Sequence, residues 1–212
     1  MKRVFRTRAG GRIDRAAPCR FTFDGREYRG FAGDTLASAL LANGVHLLGR
    51  SFKYHRPRGL LAAGTDEPNA LVGVGSDPSR FTPNLRATEV ALYDGLVAIS
   101  QNRWPSLGFD VGRISDIAAP VLPAGFYYKT FMWPRRFWGK IYEPLIRNAA
   151  GLGRAPTHPD ADHYQNRYAH CDVLVIGGGP AGIAAAIAAG RSGARVIPVS
   201  YTHLTLPTIC SV

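Results

Sequence analysis

Cysteine is scarce in this chain, and long apolar runs are missing from it. Three cysteines, Cys19, Cys171 and Cys210, occur among 212 residues. Their odd number and scattered spacing argue against a disulfide scaffold and fit a reducing cytoplasm, the expected location. No run of about 18 or more apolar residues is present, so neither a transmembrane helix nor a membrane partner is expected. Residues 1–12 are basic but lack the apolar stretch of a secretory signal and the serines of an organellar peptide, and they read as a basic arm. Acidic residues are few, 15 against 26 Lys and Arg, for a net charge of +11. Such an excess raises a nucleic-acid-binding class, but the arginines are spread along the chain and no nucleic-acid motif accompanies them. No nucleic acid is expected as a partner.

What is present reads first as a small α+β domain. Residues 20–25 alternate and end in Asp24-Gly25, a hairpin signal, and residues 26–31 form the returning strand. Asp34 is the expected N-cap of a helix over residues 35–44, with Leu36, Ala39 and Leu40 on its buried face and Asn43-Gly44 ending it. Strands are expected at 70–74, at 87–93 and, after Asp94-Gly95, at 96–99. This order is compatible with a β-grasp sheet. Plant-type ferredoxins of that plan carry C-x4-C-x2-C after the helix. Residues 46–59 contain no cysteine, so no Fe–S cluster is expected. A basic loop with Arg50, Lys53, His55, Arg56 and Arg58 stands there instead. It reads either as an anion, flavin-phosphate or acidic-partner contact, or as a solvated loop.

Residues 104–169 are rich in proline and aromatics, densest at 126–138, and read as a bridge packed against another domain or subunit. A base-stacking platform or a membrane-surface segment is the sharper alternative. A short helix is expected from Glu143, ended by Gly151. His158, Asp160, Asp162, His163 and His170 match no metal-site spacing and read as a solvated loop; no metal site is expected.

Beyond the bridge, Val173-Leu-Val-Ile176 reads as a parallel strand covered on both faces. Gly177-Gly-Gly-Pro-Ala-Gly182 follows, then an alanine-rich helix and a second strand at 193–197. In a G-x-G-x-x-G turn Gly177 permits the tight bend, Gly179 lets the pyrophosphate approach, and Gly182 brings helix and strand together. Pro180 suits the first helical position. The candidate cofactor-binding residues are Gly177, Gly178, Gly179, Pro180, Ala181 and Gly182; no catalytic residue is identified. An acid about 20 residues on, to hold the ribose, is missing: nothing after Asp172 is Asp or Glu. Residues 198–212 carry no periodicity that continues the fold and resemble a translated sequencing-adapter string; they are expected to be foreign to the protein.

Several segments, among them Ser51-Phe-Lys-Tyr-His-Arg-Pro-Arg-Gly59, Glu67-Pro-Asn-Ala70, Gln101-Asn-Arg-Trp-Pro-Ser106 and the glycine turn, together resemble the N-terminal part of the alpha subunits of heterotetrameric sarcosine oxidases. The resemblance implies a cluster-free, ferredoxin-like β-grasp domain at 1–103, the bridge at 104–169, the start of a Rossmann-type α/β dinucleotide-binding domain at 170–197 and the foreign tail at 198–212. It implies NAD in the parent subunit and FMN and FAD in the parent complex. The partners would be beta, gamma and delta subunits. The implied reaction is oxidative demethylation of sarcosine to glycine, with peroxide and a one-carbon unit for tetrahydrofolate; the chain alone is expected to be inactive. A related amine, proline or opine dehydrogenase subunit, or a non-catalytic assembly module, is the alternative.

Overall fold

The computed structural model describes residues 5–7, 9–51, 53–117, 119, 131, 133–150, 158–159, 161 and 163–200. Strands β1 (Asp14–Phe23) and β2 (Arg26–Ala32) form an antiparallel hairpin. Asp24 and Gly25 turn it with φ of 47° and 76°. Two successive positive φ values match the right-handed twist of the strands, and an Asp-Gly pair adopts them at low cost. The hairpin's inner face carries Cys19, Phe21 and Phe23, all buried, with Phe21 stacked on Tyr28 at 5.7 Å between ring centroids.

Helix α1 (Leu36–Ala42) lies across this face and buries Leu36, Ala39 and Leu40. Its N-cap is Thr35, one residue later than expected. The Thr35 hydroxyl accepts from the Ser38 N–H, and the Ser38 hydroxyl accepts from the Thr35 N–H, a capping box. Asp34 is withdrawn from capping because its carboxylate is engaged elsewhere. It accepts from the Arg6 guanidinium at 2.6 Å, the Ser38 hydroxyl at 2.7 Å and the Phe31 N–H at 3.0 Å. Burial pushes the Asp34 carboxyl up, but these donors outweigh it and hold it below its usual value.

Short strands β3 (Gly49–Arg50) and β4 (Pro57–Arg58) pair across the basic loop. Strands β5 (Leu71–Val74), β6 (Thr82–Arg86) and β7 (Leu96–Ser100) complete a five-stranded sheet of order β2-β1-β7-β5-β6. The central β1–β7 pair is parallel and the other pairs are antiparallel. The core closes with Leu48, Ala70, Val72, Leu96 and Ala98. The strand expected at 87–93 is instead a turn, and the strand preceding it is β6. Ala87, Val90 and Leu92 are buried because this turn caps α1: the Leu36 and Ala37 N–H groups donate to the Val90 and Ala87 carbonyls at 2.8 and 2.9 Å. Those donors lack intrahelical acceptors, so the turn answers them.

Contacts with the first domain continue past residue 103, the limit expected for it. Leu107 belongs to the core, and Asp110 is buried against the basic loop. A strap from Asn102 through helix α2 (Ile114–Ile117) thus packs on the first domain. Helix α3 (Glu143–Ala150) forms where a short helix was expected, with Arg147 paired to Glu143 one turn back. The densest aromatic residues, 126–130 and 132, and Asp160 and Asp162 lie outside the described residues, as do 201–212. No group of three or more metal-ligating side chains occurs among the described residues, and none of their helices is long and apolar enough to cross a membrane.

Strand β8 (Val173–Ile176), helix α4 (Pro180–Arg191) and strand β9 (Val196–Val199) form a βαβ unit with β8 and β9 parallel. Strand β9 runs two residues past the boundary expected at 197, because Pro198 and Val199 pair beside Val175 and Ile176. Burial of β8 on both faces is not found. Helix α4 packs on one face, while Leu174 and Ile176, alternating to the other, are 54% and 83% exposed.

Candidate functional site

The glycine turn links the C-terminal end of β8 to the N-terminus of α4. Gly177 has φ of 113°, a conformation that side chains resist, and its N–H donates to the Val199 carbonyl at 2.8 Å. Gly178 is buried. Gly182 is glycine for a different reason: a Cβ there would lie 1.9 Å from the Gly177 carbonyl oxygen. The first turn of α4 is therefore packed directly on the loop.

Gly179 is the informative position. It is the N-cap of α4, with φ −73° and ψ 176°, values open to any residue. A Cβ on Gly179 would meet nothing within 4 Å. Neither backbone strain nor internal packing explains this glycine. What its missing side chain does is leave open the space in front of the α4 N-terminus. No side chain caps that terminus, Pro180 occupies its first turn, and Ala181 is exposed beside it. The first N–H groups of the helix and the positive end of its dipole thus face a clear approach, an arrangement suited to a phosphate group. Asp172 does not reach this site. It sits at the other end of β8, where its carboxylate accepts from the Arg195 N–H at 2.8 Å and ties the starts of the two strands.

The basic loop is neither solvated nor open throughout. Arg50 and His55 are buried. The Arg50 guanidinium donates to the Leu107 carbonyl, at 3.0 Å from Nε, and to the His55 carbonyl at 3.2 Å. His55 Nδ1 lies 2.6 Å from Asp110 Oδ2, and Arg50 Nε lies 3.9 Å from the same oxygen. The other Asp110 oxygen accepts from the Trp104 and Gly112 N–H groups at 3.0 and 3.1 Å. His55 holds φ of 51°, and a Cβ on Gly112 would lie 2.3 Å from its Nδ1. Arg56 pairs with Asp116 at 2.7 Å; Lys53 stacks over Tyr54, and Arg58 is exposed. Asp110 and Gly112 were missed by sequence reasoning. The local signal was an Asp beginning a turn, since Asp110 caps the 3-10 turn Val111–Arg113; its partner is 55 residues away.

A third polar centre organises residues 60–69. Glu67, 1% exposed, accepts from the Leu61, Ala62 and Asn69 N–H groups at 2.7, 2.8 and 2.8 Å. Burial pushes its carboxyl up, but the N–H groups of Ala62, Asn69 and Leu61 outweigh that and hold it below its usual value.

Residues 16–103 match the family model of the 2Fe-2S iron-sulfur cluster binding domain. The donor set does not fit that cluster, which takes four cysteines. Cys19 is the single cysteine in the matched range. It is buried on β1 with its thiol against the Ala17 carbonyl, and Arg50 and His55 occupy the loop after α1. Residues 172–204 match the FAD dependent oxidoreductase model. Sarcosine oxidase subunit alpha of Rhizobium meliloti (strain 1021) is 62% identical over 92% of this chain and 20% of its own length. The same-named subunit of Corynebacterium sp. (strain U-96) is 36% identical over 89% of this chain and 15% of its own. The chain thus spans a fifth or less of these relatives. Among solved structures, L-proline dehydrogenase from P. horikoshii aligns at a TM-score of 0.40 and 19% identity, over 93% of this chain and 26% of its own, too far to carry an argument. By its sequence, the chain belongs to the family of sarcosine oxidase alpha subunits and corresponds to an N-terminal segment of them.

Proposed function

We propose that this chain is the N-terminal part of the alpha subunit of a flavin-dependent amine oxidoreductase, and that its βαβ unit begins the site for a dinucleotide, NAD. The observation that carries the second half is Gly179, a glycine that the chain's own packing does not require and that keeps the α4 N-terminus open. In this reading the first domain is a β-grasp domain that holds no Fe–S cluster, and the βαβ unit is the start of a Rossmann fold. The parent reaction is the oxidative demethylation of sarcosine to glycine, with release of peroxide and a one-carbon unit for tetrahydrofolate. FAD and FMN supply the redox chemistry in the complex, with beta, gamma and delta subunits as partners in the cytoplasm. The family names of the relatives and the FAD-oxidoreductase match support the flavin-dependent amine-oxidoreductase part of this reading.

The role we assign to the glycine turn is to bind and orient the dinucleotide. The first-turn N–H groups of α4 would hold a pyrophosphate, Gly179 would let it approach, and Gly177 and Gly182 would fix the turn. The chain has no carboxylate after Asp172 to hold the ribose hydroxyls, so it supplies phosphate contacts without the ribose contact. The test is calorimetric titration of the full-length alpha subunit with NAD. Gly179→Ala is expected to weaken binding about tenfold or more, since a methyl stands in the phosphate approach, while leaving the melting temperature unchanged. Equal affinity in the two proteins would sink the assignment.

A further inference from the structure

Asp172 is the last carboxylate of the chain. It lies at the foot of β8, about 13 Å along the strand from the glycine turn. Its hydrogen bonds go to one residue of the other strand. The carboxylate accepts from the Arg195 N–H at 2.8 Å, and the Asp172 N–H donates to the Arg195 carbonyl at 2.9 Å. Asp172 thus engages both main-chain groups of Arg195, the residue that directly precedes β9. Just before it, α4 ends at its cap Ser192 and Gly193 turns the chain with φ of 85°. Asp172 therefore takes hold of the chain as it leaves the helix and fixes where it joins the sheet.

The other end of α4 is tied to the strands through Gly177. The Gly177 N–H donates to the Val199 carbonyl at the head of β9, and its own carbonyl oxygen would stand 1.9 Å from a Cβ on Gly182. Gly177 thus touches β9 on one side and the first turn of α4 on the other. Little else holds these parts. No residue of α4 is buried, and β9 meets β8 over a short ladder, from Val196 beside Val173 to Val199 beside Ile176. The 12-residue helix is a rod about 18 Å long, pinned at both ends. Freeing its C-terminal end would turn the first-turn N–H groups and the dipole off their aim. We propose that Asp172 is a positioning residue of the dinucleotide site. It sets where β9 begins, β9 sets Gly177, and Gly177 sets the aim of the α4 N-terminus at the phosphate. This rests on the dinucleotide reading above. It adds a residue outside the glycine turn, one that acts as a hydrogen-bond acceptor for a backbone N–H and not through its charge.

The test titrates NAD into the full-length alpha subunit and two variants, far below their melting temperatures. Asp172→Ala removes the acceptor and is expected to weaken NAD binding about threefold to fivefold, because fewer molecules hold α4 in the binding orientation. Asp172→Asn keeps an oxygen that can accept from the Arg195 N–H, and its affinity should stay within about twofold of the wild type. In hydrogen exchange without NAD, the Gly177 amide should exchange faster in Asp172→Ala and at the wild-type rate in Asp172→Asn. A lower melting temperature with unchanged NAD affinity in Asp172→Ala would make Asp172 a structural tie alone. That result would overturn the inference and leave the dinucleotide site standing. Equal losses of affinity in the Ala and Asn variants would overturn it as well, since the acceptor would not be what counts. No binding of NAD by the wild-type subunit would overturn the dinucleotide reading, and the inference with it.

Discussion

Replacing Glu67 by Gln tests how the loop after the basic hairpin is held. Three part-buried backbone N–H groups converge on its carboxylate, two on Oε2 and one on Oε1. Gln offers one acceptor oxygen. Its best orientation keeps that oxygen toward Leu61 and Ala62 and turns the amide N–H onto the Asn69 N–H. One part-buried donor is then unpaired, costing about 1–3 kcal/mol, and two charge-assisted bonds become neutral ones, losing about 1 kcal/mol each. The sum is about 3–5 kcal/mol at neutral pH. With a urea slope near 2 kcal/mol/M, the midpoint of the first domain's unfolding should fall on the order of 2 M. Acid supplies the second half of the test. The folded-state pKa of Glu67 lies below its usual 4.5. Its contribution is therefore fully present above pH ~4.5 and is lost as pH falls through the folded value. The difference between wild type and Glu67→Gln should shrink in that acid window. A neutral-pH cost below about 0.5 kcal/mol, the range of ordinary surface changes, or a difference that does not depend on pH, would refute the account.

Gly182→Ala should unseat the glycine turn, because its Cβ would meet the Gly177 carbonyl at 1.9 Å; NAD affinity of the full-length subunit and the signal of α4 in hydrogen exchange should both fall, in contrast to the fold-neutral Gly179→Ala. Gly112→Ala places a methyl 2.3 Å from His55 Nδ1, and Asp110→Ala leaves His55 and Arg50 without their shared carboxylate at a cost of about 3–5 kcal/mol; limited proteolysis should then cut within residues 102–117, and a protected strap in both variants would refute the His55–Asp110 clamp. Thr35→Ala should cost about 1 kcal/mol in thermal unfolding through loss of the α1 cap, whereas no change would mean that the Val90 and Ala87 carbonyls suffice.

The parts of the fold legible in the sequence were those with a local cause. Asp24-Gly25 marks the hairpin because both residues must take positive φ, and Asn43-Gly44 marks the end of α1 for a related reason, with Gly44 at 77°. The parts misread were set by partners far along the chain. Burial at Ala87, Val90 and Leu92 looked like a strand, yet it comes from a turn answering the N–H groups of a helix 50 residues earlier. Asp34 had the chemistry of a cap, but Arg6 claims it. The bridge seemed to begin at 104 because nothing local reveals that Asp110 meets His55 or that the Leu107 carbonyl meets Arg50. At the glycine turn the three glycine positions were legible, and the structure separates their reasons: conformation at Gly177, packing at Gly182, and open space at Gly179.

Those reasons divide the molecule by where its demands are met. In the first domain the carboxylates of Asp24, Asp34, Glu67 and Asp110 are each answered by donors from the same chain. The match to an iron-sulfur family makes this informative. Thiolates on a cluster would fix the loop after the helix by coordination. Here Glu67 and the His55–Asp110–Arg50 group draw backbone donors and side chains together across the same stretch, so the loop keeps a defined path with one cysteine in the whole matched range. What faces outward at the second unit is of another kind: an α4 N-terminus that no side chain caps, with Gly179 leaving the space before it clear. A phosphate group placed there would meet the first-turn N–H groups and the positive end of the helix dipole, donors that no side chain of the turn answers.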